Sequence, residues 1–151
     1  MAISQQKFRE IVFQLLFSQD FVVTEEEEIV DFMMQQLAVT KKTMKEAQGK
    51  WRSIVSHISE IDEMIRRFSS AYDLERIAKV EKSVLRLGVY ELCFETGIPP
   101  VVAIAEAIRL TRKFATAESS TFVNAVLDAL YQDRSSLSEG KDVCLATVSV
   151  G

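Results

Sequence analysis

The chain has 151 residues, 48% hydrophobic and 26% charged, which fits a globular domain large enough to bury its own core without a disulfide or metal staple. Eighteen Lys and Arg stand against 22 Asp and Glu, a net charge of −4. That balance excludes a uniformly basic, nucleic-acid-coating protein, so any nucleic-acid contact must come from a local cluster of charge. Only two prolines and five glycines interrupt long stretches of helical periodicity, and the fold class expected is all-α. The first helix is expected at about 4–19, with Phe8, Ile11, Val12, Leu15 and Leu16 in one apolar stripe. Phe17 falls about opposite that stripe and Phe13 close to it on the flank. Thr24, ahead of four glutamates at 25–28, reads as the cap and acidic first turn of a second helix reaching about Leu37. Thr40 can cap a third helix, whose pattern continues past Trp51 and Ile54 to about Phe68 with a break near 56–59.

Asp73 is the expected cap of the most apolar helix, at about 74–95. Its residues Ile77, Val80, Val84, Leu85, Leu87, Gly88, Val89 and Leu92 cover so much of the circumference that it belongs at the centre of a bundle. Lys79, Ser83, Arg86 and Tyr90 form its one polar strip. Gly97 is the expected C-terminal stop, and Pro100 suits the first turn of the next helix. In that helix Ala103, Ala107 and Ile108 share a face that permits close contact, while Arg109, Arg112 and Lys113 cluster opposite. The last helix, about 119–133, is expected to bury Phe122, Val123, Val126, Leu127 and Leu130. The domain boundary is drawn at 1–134, with 135–151 a flexible tail.

Few enzyme signatures can be assembled. One histidine, His57, leaves no His₂ metal site, and the scattered glycines build no phosphate-cradling loop, so neither a cofactor nor a catalytic residue is assigned. His57 lies in a Ser-rich junction and reads as structural. Cys93 reads as core filler, and with Cys144 in the tail the two cysteines fit a reducing compartment. No apolar run reaches the ~18 residues of a membrane span, and the first twenty residues lack a basic-then-apolar leader, which points to a cytoplasmic protein. Arg109, Arg112 and Lys113, followed by Phe114, could serve phosphate and an unpaired base, or could be a solvated face.

Four strings change the weight of these readings. KVEKSVLRLGVYEL (79–92), IPPVVAIAEAIRLTRKF (98–114) and SSTFVNAVLD (119–128) resemble, in order and spacing, the NusB family of bacterial transcription antitermination factors, and KFREIVFQLLFS (7–18) matches the family's opening helix more loosely. The resemblance spans about 4–133. It implies two small helical bundles, no catalysis, and binding of the boxA element of ribosomal RNA leader transcripts together with the ribosomal protein NusE. That complex joins the elongating RNA polymerase and supports processive rRNA transcription; the family also contains homodimers, which leaves a homodimer open for the free protein.

Carried over residue by residue, the resemblance implies RNA contacts at Lys7, Arg9, Arg86, Phe114, Glu118, Ser119 and Phe122, and NusE contacts at Phe17 and Glu81. The sequence departs from the family where arginines grip RNA at the start of the first helix, since SQQKFRE keeps only Lys7 and Arg9 with Glu10 beside them. Thr121 stands where a basic residue is usual, Ala105 where Asn is common and Ala125 where Gly is common. Each lost phosphate contact flattens the salt dependence by ~0.7 log–log units on single strands. The alternative is a protein-only helical interaction module that keeps the fold with little RNA binding.

Overall fold

The computed structural model describes residues 3–19, 34, 39–69 and 74–136. All of the second helix expected at 25–37 except residue 34, the cap at Asp73, the tail from 137 onward and Cys144 lie outside the described residues. The rest is all-α, and the chain divides into two compact units, Met1–His57 and Ile58–Gly151. Among the described residues no helix is long and apolar enough to cross a membrane.

In the first unit, α1 (Gln5–Gln19) packs on α2 (Lys41–Ser56). Ser4 starts α1, its Oγ accepting from the Lys7 N–H at 3.1 Å. The expected stripe of Ile11, Val12, Leu15 and Leu16 is fully buried, but Phe8 is only half-buried and Phe13 joins the core instead. Phe13 stacks on Phe17, with ring centroids 5.8 Å apart and planes 19° from parallel, so the flank is drawn inward by its neighbour one turn on. Thr40 caps α2 as expected, its Oγ1 accepting from the Thr43 N–H at 3.2 Å. From the inner face of α2 come Met44, Ala47, Trp51 and Ile54, and the Trp51 indole N–H donates to Gln19 at the end of α1. The break expected near 56–59 falls at His57, whose N–H closes onto Ile54 O while its Nδ1 lies 2.9 Å from Ser53 O. His57 thus terminates a helix.

The second unit holds α3 (Ile58–Ser69), a 3₁₀ turn (Leu74–Arg76), α4 (Lys79–Cys93), α5 (Pro100–Phe114) and α6 (Ala117–Ser136). α4 packs on α3, α5 and α6, and all seven residues from 83 to 89 are buried. The central position inferred from its apolar circumference holds, but the helix is shorter than expected. Residues 74–76 close a 3₁₀ turn, sealed by Ile77 N–H to Leu74 O at 3.2 Å, and Ala78 is extended at ψ 145°, so the α-helix starts only at Lys79. At the other end it stops at Cys93, with the Phe94 N–H on Tyr90 O, and Gly97 lies beyond in the following turn.

Pro100 opens α5 as expected, and the carbonyl of Pro99 accepts from both Val102 and Ala103. Ala103 and Ala107 are buried, whereas Ile108 is half-buried. Gly88 of α4 sits against both neighbouring helices. A Cβ there would stand 3.0 Å from Leu127 Cδ1 on α6 and 3.7 Å from Ala107 Cβ on α5. α6 begins two residues before the expected start and runs to Ser136, past the expected tail boundary.

Candidate nucleic-acid interface

A pocket of about 300 Å³ opens on the second unit, lined by Arg76, Ile77, Ala78, Glu81, Thr116, Glu118, Ser119 and Phe122. Three short pieces of chain build it. The 3₁₀ turn and the extended Ala78 carry Arg76 to the rim, and the first turn of α4 carries Glu81. The third piece is the start of α6. After α5 ends at Phe114 and Ala115 caps it, Thr116 restarts the helix, its Oγ1 accepting from the Ser119 N–H at 3.0 Å and donating to Ser119 Oγ at 3.1 Å. That cap orients the first turn, where Glu118 suits the positive end of the helix dipole, and Phe122 lies one turn further along the same face.

Three RNA-facing residues implied by the resemblance, Glu118, Ser119 and Phe122, therefore share one pocket with Glu81, which the resemblance implied for the NusE contact. Phe122 is half-buried at the pocket wall, not in the core where periodicity put it; Val123, Val126, Leu127 and Leu130 do fill that core. Arg76 is a lining residue that sequence reasoning missed. The sequence places Arg76 in the first turn of the long helix expected at about 74–95, where nothing sets it apart; the 3₁₀ turn instead puts it in the pocket lining.

The remaining site residues stand elsewhere. Lys7 and Phe17 are half-buried in the first unit, and Arg9 is buried at 5% exposure. Phe114 ends α5, with the Lys113 Nζ 5.7 Å from its ring centroid. Of the basic cluster on α5, Arg109 is held by Glu106, Nε to Oε1 at 3.0 Å, while Arg112 and Lys113 are exposed in the last turn.

Arg86 is only 8% exposed, and its guanidinium grips Asp62 of α3 through two parallel bonds, Nε–Oδ1 at 2.9 Å and Nη2–Oδ2 at 3.0 Å. The polar strip of α4 is thus covered at its middle, Ser83 being fully buried as well. Asp62, the partner of Arg86, was likewise missed by sequence reasoning: it lies 24 positions from Arg86, and no local pattern pairs them.

The NusB family model matches residues 6–132. The chain belongs to the NusB family. It is similar to the transcription antitermination protein NusB of Nitratiruptor sp., at 34% identity over 86% of this chain and 93% of that protein. A structure of Thermotoga maritima NusB superposes with a TM-score of 0.77 at 34% identity, covering 87% of this chain and 93% of that one. A crystal structure of antitermination factors NusB and NusE in complex with dsRNA superposes at 0.75 and 28% identity, covering 85% and 96%. Within this NusB fold, the pocket at the junction of the 3₁₀ turn, α4 and α6 gathers Glu81, Glu118, Ser119 and Phe122, while Arg86 and Phe114 of the same unit lie outside it.

Proposed function

We propose that this chain is a non-catalytic transcription antitermination factor that binds boxA RNA of ribosomal RNA leader transcripts together with the ribosomal protein NusE. In this reading it works in the cytoplasm, and its effect on RNA polymerase is indirect, through the RNA and the partner. The reading rests above all on the pocket that gathers Glu118, Ser119 and Phe122 in a fold shared with a NusB solved with NusE and dsRNA. A half-buried aromatic beside hydroxyl and carboxylate groups is the equipment by which proteins hold unpaired bases, through stacking and edge hydrogen bonds. The thin positive charge of the first helix makes the isolated protein a weak RNA binder. Two surfaces presented together raise apparent affinity without a new contact on either, so tight binding belongs to the heterodimer.

Transcription past a terminator placed downstream of a boxA-bearing leader tests the reading. Readthrough is expected to rise when chain and NusE are added together, and to fall back when boxA is scrambled. Readthrough that ignores the chain on an intact boxA template contradicts it. A second reading, a protein-only interaction module, draws support from two observations: Arg86 already has a carboxylate partner, and Arg9 is buried. Under that reading NusE binds and RNA does not.

A further inference from the structure

A concentration of positive charge lies away from that pocket, on α2 of the first unit. Lys41–Ser56 carries five cations and one carboxylate, a net +4 in a chain of net −4. At about 100° per residue, Lys41, Lys42, Lys45 and Arg52 fall within one arc on the face turned away from the buried Met44, Ala47, Trp51 and Ile54, and all four are exposed. Among the described residues, the ammonium groups of Lys41, Lys42 and Lys45 have no hydrogen bond or ion pair. Lys41 and Lys42 stand in the first turn, at the positive end of the helix dipole, with no carboxylate there to offset them. Helix stability therefore does not account for their charge. Gly49 stands within the same arc. A glycine inside a helix weakens it relative to alanine, and Gly88 has a packing reason for being one, whereas a Cβ at Gly49 would meet nothing within 4 Å. A bare, exposed stretch of helix backbone lets an outside group come close.

We propose that this face of α2 holds the phosphate backbone of single-stranded RNA flanking boxA, the strand lying along Lys41, Lys45 and Arg52 and closing on the helix at Gly49. A helix rises about 1.5 Å per residue, so Lys41 and Lys45 stand about 6 Å apart along the axis and Arg52 about 10 Å further on. Those intervals match one step and then two between successive phosphates of an extended strand. Lysine meets phosphate as a point charge and reads no base, so the contact accepts whatever sequence lies beside boxA. The face also borders the start of α1, the helix packed on α2. Lys50, on the flank of α2, has its Nζ 6.0 Å from the ring centroid of Phe8, which stands between Lys7 and Arg9 in the chain. A strand leaving the start of α1 therefore meets α2 next, and the positive charge that α1 lacks is carried by its neighbour. That continuity favours RNA over an acidic protein segment as the occupant.

This inference rests on the RNA-binding reading above, and its test separates the two. Fluorescence anisotropy is measured with the full chain and NusE, on labelled boxA RNA alone and on boxA RNA extended on one side or the other by an unpaired run of uridines. On one side the extension is expected to tighten binding and to steepen the log–log salt slope by about 2, from three added phosphate contacts at ~0.7 each. Lys41→Gln, Lys42→Gln and Lys45→Gln combined are expected to remove that increment and to leave boxA RNA alone within about twofold of wild type. Gly49→Gln changes no charge and suits a helix better, so the thermal midpoint should rise while the extended RNA binds about threefold more weakly. The proposal is overturned if neither extension steepens the slope, if the triple variant weakens both RNAs equally, or if Gly49→Gln holds the extended RNA as tightly as wild type. It is also overturned if the triple variant spares both RNAs and weakens NusE binding, since the face then belongs to a protein partner. Absence of RNA binding by the wild-type heterodimer overturns both this inference and the reading beneath it; boxA binding that no extension improves overturns the inference alone.

Discussion

Arg86 illustrates how burial changes what a basic side chain can do. On the helical wheel it belongs to a polar strip, and the family resemblance implies an RNA contact. In the folded unit it spends a bidentate face on Asp62 and ties α4 to α3. Removing either partner strands the other in a poorly solvated place. Asp62→Ala is therefore expected to lower unfolding stability by about 3 kcal/mol, as for other broken buried pairs. Arg86→Ala should cost a similar amount, and in urea unfolding the double variant should lose clearly less than the sum of the two singles. Additive losses would mean that the pair contributes no coupling. Ser83 offers the opposite case. Its Oγ is fully buried and has no hydrogen-bond partner among the described residues. Ser83→Ala removes an uncompensated hydroxyl, and stability should rise by about 1 kcal/mol in the same assay. Neither effect was legible in the sequence, because both depend on tertiary packing over a strip that periodicity alone leaves polar.

At the scale of elements, local chemistry was readable wherever it was decisive. Thr40 caps α2, Pro100 opens α5, and the break between α2 and α3 falls at the Ser-rich junction. The start of α4 was misjudged because residues 74–77 carry helical periodicity but hydrogen-bond as a 3₁₀ turn, and an extended Ala78 separates them from the helix proper. That error matters for the site, since the misjudged turn is what delivers Arg76 to the pocket. Gly88 shows what a small residue does at an element crossing. A Cβ there would press on the Leu127 side chain at 3.0 Å and meet Ala107 at an ordinary 3.7 Å, so any larger side chain has to displace its neighbours. Gly88→Val forces atoms into a filled core, and overpacking of this kind costs about 2 kcal/mol, more than the helix propensity regained. Thermal unfolding should record the loss as a lower midpoint; a midpoint equal to wild type would mean that the crossing has room to spare.

For the whole molecule, the net charge of −4 and the placement of its cations set the terms of any RNA binding. Of the cations lining the pocket and in the last turn of α5, Arg76, Arg112 and Lys113 are exposed, and in the first helix Lys7 is half-buried while Arg9 is buried. About three phosphate contacts on single-stranded RNA would give a log–log salt slope near −2, shallow for a nucleic-acid-binding protein. The all-helical fold and most of its core were legible from periodicity, and the family from four strings in register. What the sequence could not convey is which of the implied site residues share a surface. Glu81, Glu118, Ser119 and Phe122 meet in one pocket, although Glu81 is 37 to 41 positions away from the others along the chain. The most direct measurement is the anisotropy of a labelled boxA RNA titrated with the chain, alone and with NusE, at two salt concentrations. Weak binding by the chain alone, strengthened by NusE and weakened by salt with a shallow slope, is the predicted result. No binding to RNA under either condition, with NusE still bound, would contradict it and leave the fold as a protein-only module.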